Sequence, residues 1–236
     1  MRAIIKKEFA AYFKSPLAYV FIAIYLFFSG MIFYNVIRAG YSAYFSTLYY
    51  SMFDVILLIL PLLTMRLFSE ERKHKTDQAL LTAPVSISSL VLGKYIAALL
   101  VYALCIGLTL VYAVVFSTFV ESMSWSSVIC NVVGSLLFGG AFIAVGAFIS
   151  SLTESLVIAA MGTFFVSAVF LLINLFIPSS NTNAFFELVG NQISFNTRYT
   201  PFTEGILDFS SIVYFLSIIA TFIFLTVRAI ERRRWS

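Results

Sequence analysis

The densest run of reactive side chains in this chain is Glu70-Glu71-Arg72-Lys73-His74-Lys75, followed by Asp77 and Lys94. Adjacent carboxylates beside bases can exchange protons, hold an ion or pair with charges on a partner. His74 is the single histidine of 236 residues and falls in this charged run outside the apolar segments, so it is misplaced for a Ser/His/Asp relay within them, and one histidine is too few for a histidine-based metal set. Cys105 and Cys130 sit in apolar sequence without CxxC or Cys/His spacing and read as buried structural thiols. A phosphate-cradling GxxxxGK[ST] loop is also missing: Gly93-Lys94 is followed by Tyr95 and lacks the earlier glycine. Catalytic, cofactor-binding and metal-ligating residues are therefore not expected here. The charged run needs another explanation.

Its surroundings supply one. The chain is 61% hydrophobic and only 11% charged, with a mean hydropathy of +0.98. Soluble domains carry about 25% charged residues, so this composition predicts an all-α integral membrane protein. The net charge of +4 flanks apolar segments, which argues for topology signals and against a nucleic-acid partner. Glu70-Glu71 is similar to the start of the EExxxR motif of membrane CAAX-type proteases. The sixth position is Lys75, however, and the histidines such chemistry needs on other helices are missing.

Six spans are expected, at residues 17–37, 48–68, 94–116, 128–150, 156–177 and 211–229. Before them, Ile5, Phe9 and Phe13 recur at i, i+4, i+8 with Ile4 and Tyr12 beside them, while Arg2, Lys6, Lys7 and Lys14 lie elsewhere around the helix. That pattern predicts an amphipathic interface helix over residues 1–15, ended by Ser15-Pro16. The apolar run at 17–37 exceeds the 7–15 residues of a signal-peptide core, so it reads as a retained span.

Charge sets the orientation. With six spans, one side holds Arg2, Lys6, Lys7, Lys14, Arg66, Arg72, Lys73, Lys75, Lys94, Arg228, Arg232, Arg233 and Arg234, and the other only Arg38 and Arg198. Both termini and the 69–93 loop are expected in the cytoplasm, with Ser151–Ser155 ("SLTES") as a second short loop there. Residues 178–210 form the longest segment on the far side, where short helices are expected on the rim.

Within the spans, Pro61 is expected to kink the second. Asp54 lies toward its outer end and Arg66 toward its inner end, leaving no ionisable relay at the midplane for an ion-coupled carrier. Asn35, Asn131 and Asn174 read as packing bonds. Ser135/Gly139 and Gly140/Ala144 in the fourth span permit close helix approach, within the chain or against a second copy.

The loop itself carries a pattern. Glu71, Thr76, Gln78, Leu80, Leu81, Thr82, Pro84, Val85, Ser86, Gly93 and Lys94 fit E-[RK]-x-x-x-T-x-[EQ]-x-L-L-[TS]-x-P-[VI]-S followed by an apolar helix reaching G-K. This resembles the first cytoplasmic loop of ABC-2 type permeases, the membrane subunits of type V ABC exporters. The short form is similar to gliding-motility type permeases. The resemblance implies a bacterial cytoplasmic membrane protein in which one transmembrane domain spans residues 1–236. It implies two ABC ATPase subunits as partners, binding ATP and Mg that this chain does not bind. A second permease copy or a related permease is also implied, with an accessory extracytoplasmic protein as a further partner and lipid around the whole.

The ATPase-coupling element would be residues 76–84, with Leu80 and Leu81 filling an apolar groove and Glu70, Glu71, Arg72, Lys73 and Lys75 on its polar rim. Pro84 would end the element, and Ser86 or Ser88 would cap the next helix. Thr76 and Gln78 belong to the coupling set, and Thr153 and Glu154 would make a second cytoplasmic contact. The implied function is a permease subunit that couples a separate ATPase to substrate movement. A non-transporting scaffold or force-transmitting subunit driven by an ABC ATPase is the alternative.

Overall fold

The computed structural model describes residues 2–38, 46–73, 75, 86–118, 124–176 and 194–234. Among the described residues the chain is helical throughout, without strands. Its helices are α1 (Arg2–Lys14), α2 (Pro16–Arg38), α3 (Ser46–Thr64), α4 (Ser69–Lys73), α5 (Ile87–Ser117), α6 (Trp125–Leu152), α7 (Leu156–Phe176), α8 (Phe195–Thr203) and α9 (Phe209–Arg234). Five segments are long and apolar enough to cross a membrane: α2, α3 with α4, α5, α6 and most of α9. The remaining expected span, at 156–177, falls on α7, whose apolar stretch Leu156–Leu172 is shorter. The protein is a multi-pass, all-α membrane protein.

Several boundaries differ from the sequence reading. α5 begins at Ile87 rather than near 94, because the Ser86 side chain accepts the Ser89 amide and so caps the helix early. Lys94 is consequently two turns inside a helix. The 69–93 loop also contains α4, formed after a turn at residues 65–68. The Asp208 carboxylate accepts from the Ser211 hydroxyl and the Ser210 and Ser211 amides, capping α9 at 209. Those bonds, the Ser211 hydroxyl foremost, hold the Asp208 carboxyl below the usual carboxylate range.

α6 is the centre of the bundle, packed by α3, α5, α7, α8 and α9. Its small residues are consumed inside the chain. A Cβ on Gly139 would run into the Tyr102 ring, and one on Gly146 would fall 2.6 Å from the Thr64 Cβ. Ser135, Gly140 and Ala144 are buried too, so internal packing accounts for this stripe and a seam with a second copy does not. Asn131 behaves as expected of a packing group: its amide donates to the Ser127 carbonyl at 2.8 Å and to Ser46 Oγ at 3.2 Å.

At the end away from the basic residues, α8 does not rest on a rim. Phe195, Tyr199 and Phe202 are fully buried among α3, α6 and α9. Phe53 stacks on Phe138 at 4.5 Å and on Tyr199 at 5.4 Å. The Tyr199 hydroxyl meets Ser135 Oγ at 2.8 Å, and Tyr49 meets Thr109 Oγ1 at 3.1 Å. Tyrosines bury large apolar area while their hydroxyls find partners, which lets this interior stay dry.

The backbone of α3 and α4 is broken in three places, and each break is closed by another helix. Pro61 has no N–H, so the Leu57 carbonyl loses its partner one turn back. Ser167 Oγ of α7 donates to that carbonyl at 2.8 Å. Leu63, at the end of α3, accepts from the Tyr12 hydroxyl of α1 at 3.2 Å. Ser150 Oγ of α6 accepts from the Phe68 and Ser69 amides at 3.1 and 3.2 Å, the otherwise orphaned donors that open α4.

Ser167→Ala should therefore cost about 1 kcal/mol by stranding the Leu57 carbonyl. In a Pro61→Ala background the same change should cost much less, because the introduced alanine restores an N–H to that carbonyl. Unfolding of the four variants in detergent micelles checks this; equal costs in both backgrounds would contradict it.

Candidate functional site

The charged run gathers at one end of the bundle, around a buried cation. Lys94 Nζ is 2.9 Å from Glu71 Oε1 and 3.2 Å from Glu8 Oε2, and its side chain is only 3% exposed. The Phe68 ring covers it at 5.5 Å. A desolvated ammonium is costly unless counter-charges accompany it, and here two carboxylates arrive from two different helices. α5 supplies the cation, α4 supplies Glu71 and α1 supplies Glu8. The three elements are locked near the end of α4 and two turns into α5.

α1 reaches this position because its inward face reads Ile4, Ile5, Glu8, Phe9 and Tyr12, spaced at three and four residues. It lies along α5 so closely that a Cβ on Gly93 would sit 2.7 Å from the Ile4 side chain. Glu8 was not singled out in the sequence. The available signal was a carboxylate flanked by Ile4 and Tyr12 at i±4 on the apolar face, where a solvated glutamate has no reason to be. A cavity of about 290 Å³ lies beside the cluster, lined by Lys7, Glu8, Arg66, Glu70, Glu71 and Lys94 among others. Arg66 pairs with Glu70 one turn on.

The second expected contact is joined to the first. Arg72 Nη2 binds Glu154 Oε1 at 2.9 Å, and Arg72 Nη1 reaches the Ser151 carbonyl at 3.4 Å. The Arg72 side chain is largely buried while Glu154 is mostly exposed, so the pair sits at the surface of the joint. Thr153 Oγ1 accepts from the Ser155 amide and closes the turn between α6 and α7. Glu70, Glu71, Arg72, Thr153 and Glu154 thus form one connected patch. Lys73 ends α4 with its side chain exposed. Thr76, Gln78, Leu80, Leu81 and Pro84 lie outside the described residues, as does His74. Pro61 stands within α3, which ends at Thr64 before the 65–68 turn.

Chemically this is a set of ion pairs that ties α1, α4, α5 and the α6–α7 turn together. Buried charges of opposite sign fix direction and register between helices, and their partial exposure lets a partner compete for them. Among the described residues no group of His, Cys, Asp and Glu could hold a metal ion.

Glu8→Gln or Glu71→Gln alone leaves Lys94 one carboxylate, and each should cost about 1 kcal/mol. The double variant strands the cation and should cost about 3–5 kcal/mol, more than the sum. Thermal unfolding of the set in one detergent measures the non-additivity. Simple additivity would mean that the two carboxylates act independently and that losing both does not strand the ammonium.

Comparison with curated proteins gives no match. A family profile described as ABC-2 family transporter protein matches residues 35–230. The match takes in the chain from the end of α2 through most of α9, including the charged run, the α3–α4 break and the Arg72–Glu154 joint, and leaves out α1. It covers well over half of the sequence, and with the apolar helices around it the conclusion follows that this chain belongs to the ABC-2 family of transporter proteins.

Proposed function

We propose that this chain is the permease subunit of an ATP-driven exporter, receiving the force of a separate ABC ATPase at the joint around Lys94 and Arg72. The observation that carries the reading is the placement of that joint. The helices on either side of residues 74–86 are fastened to one another through Glu71 on α4 and Lys94, two turns into α5, and α4 is fastened to the α6–α7 turn through Arg72 and Glu154. A push on the loop therefore reaches four helices at once: α1 and α5 through Lys94, α3 through the turn that leads into α4, and α6 through Ser150 and Glu154. Membership in the ABC-2 family supports the same reading.

In this reading the chain crosses a bacterial cytoplasmic membrane six times, α7 being the fifth span, with both termini in the cytoplasm. Two ATPase subunits bind ATP and Mg. A second permease copy completes the transporter, and the substrate moves between the two. Residues 76–84 dock on the ATPase, with Leu80 and Leu81 in an apolar groove, Thr76 and Gln78 at its edge and Pro84 as the stop. Lys73 and Lys75 meet acidic groups at the rim, and Thr153 and Glu154 make the smaller contact. α1 lies in the membrane surface and moves with the loop through Glu8. The break at Pro61 is where α3 bends as the joint is pressed.

Leu81→Asp should abolish co-purification of the cognate ATPase while leaving the permease monodisperse. Arg72→Glu or Glu154→Arg should reduce ATP-dependent transport in inverted vesicles at least about fivefold, as expected for losing a charge-assisted contact. The double exchange should recover most of it. Retained ATPase binding in Leu81→Asp would refute the docking assignment. ATPase recruitment without transport of any tested amphiphile would favour a force-transmitting scaffold.

A further inference from the structure

Asp54 is the carboxylate that the joint does not use. It lies on α3 among Met52, Phe53, Ile56 and Leu57, all buried, yet Asp54 itself points out of the chain. Tyr50 and Leu58, one turn to either side, are each 48% exposed, so a narrow stripe of α3 runs Tyr50, Asp54, Leu58 along one outward face. Among the described residues Asp54 has no hydrogen bond and no ion pair.

Its depth makes this expensive. Asp54 and Arg66 are twelve positions apart, ten of them within α3 and two in the turn after Thr64, about 18 Å at helical rise. A hydrocarbon core is about 30 Å thick. With Arg66 at one boundary, Asp54 stands about 12 Å inside the other. Ionisable side chains at such depth face protein or water, not lipid. Among the described residues neither cation of that side, Arg38 or Arg198, pairs with it. Residues 39–45, 119–123 and 177–193 contain no lysine or arginine. Arg198 is engaged with Ser210 and the Tyr214 ring, and Arg38 ends α2 at the far surface.

We infer that the Tyr50–Asp54–Leu58 stripe lines a water-filled path through the membrane, and that Asp54 there recognises an ammonium or other cationic group on the transported molecule. The stripe has the three parts such a ligand needs. A carboxylate meets the charge, an aromatic face one turn away adds a cation–π contact, and Leu58 offers an apolar surface to the ligand's body. The substrate class is thus a cationic amphiphile. This inference rests on the permease reading, and its test is independent of ATPase coupling.

The test uses the full chain in lipid nanodiscs with Cys105 and Cys130 replaced by alanine. Leu58→Cys places a thiol one turn, about 6 Å, from Asp54. Leu100→Cys on α5, where Leu100 is 44% exposed, is the lipid-facing control. Its distance from Lys94 is about 9 Å of helix, against about 12 Å between Leu58 and Arg66. The probes are the water-soluble methanethiosulfonates bearing trimethylammonium or sulfonate, with rates normalised to free cysteine.

The Leu58→Cys thiol should react at least about tenfold faster than the Leu100→Cys thiol, because only thiols in water ionise and react. In Leu58→Cys the cationic reagent should be favoured by about threefold or more, the Coulomb effect of one unit charge about 6 Å away in water. Adding Asp54→Asn should erase that preference without slowing the reaction overall. A Leu58→Cys thiol as slow as the control would place the stripe against lipid and overturn the path. A fast one whose charge preference survives Asp54→Asn would overturn the recognition role. Neither result touches the Leu81→Asp experiment, so the path and the ATPase docking fail separately.

Discussion

A proline inside a membrane helix strands a carbonyl where water cannot reach it, and much of this bundle is arranged around that fact. Pro61 cannot bond Leu57, and α3 then stops at Thr64, turns, and restarts as α4. In water each interruption would be solvated at little cost. In an apolar interior each unmet polar group costs about 1–3 kcal/mol unless protein supplies a partner. Ser167, Tyr12 and Ser150 are those partners, and they come from α7, α1 and α6. The break in one helix is thereby what ties three others to it. α6 is pressed against the same place by Gly146, whose lack of a side chain admits Thr64.

The Lys94 cluster is the charged counterpart of this arrangement. The hydroxyls complete a backbone, whereas Glu8 and Glu71 complete a charge. Both devices use groups that are individually unfavourable in an apolar setting, and both derive specificity from that penalty. An apolar contact can slide by a residue at small cost, but an ammonium with two fixed carboxylates cannot. The end of the bundle that carries the charged run is pinned by charge. The far end, around Phe53, Phe138 and Tyr199, is held by large rings and non-directional burial.

Much of this was legible in the sequence, for reasons that are physical. Membrane spans are long apolar runs, and topology is written in where lysine and arginine fall, so the helices and the basic end could be read directly. Ser86 announced its cap, and Arg72 and Glu154 stood out as charge in greasy surroundings. Glu8, Ser150 and Ser167 did not stand out. A serine in a span looks the same whether it bonds its own helix or a carbonyl three helices away, and only the packing decides. The small residues of α6 showed the same ambiguity: spacing says that something comes close, and Tyr102 and Thr64 are what came. α5 started early because one cap at Ser86 outweighs the polar residues that made residues 87–94 resemble loop.

The two carboxylates Glu71 and Asp54 show how setting divides the work of one chemical group. Glu71 has its cation inside the chain, and its charge is spent on holding helices together. Asp54 is flanked by buried apolar neighbours, faces outward at membrane depth and finds no counter-charge among the described residues. A carboxylate satisfied within the fold contributes to the fold. One left facing out of it must be satisfied by something that arrives, and the cost of leaving it bare in lipid is what makes an aqueous path with a cationic visitor the lower-energy arrangement.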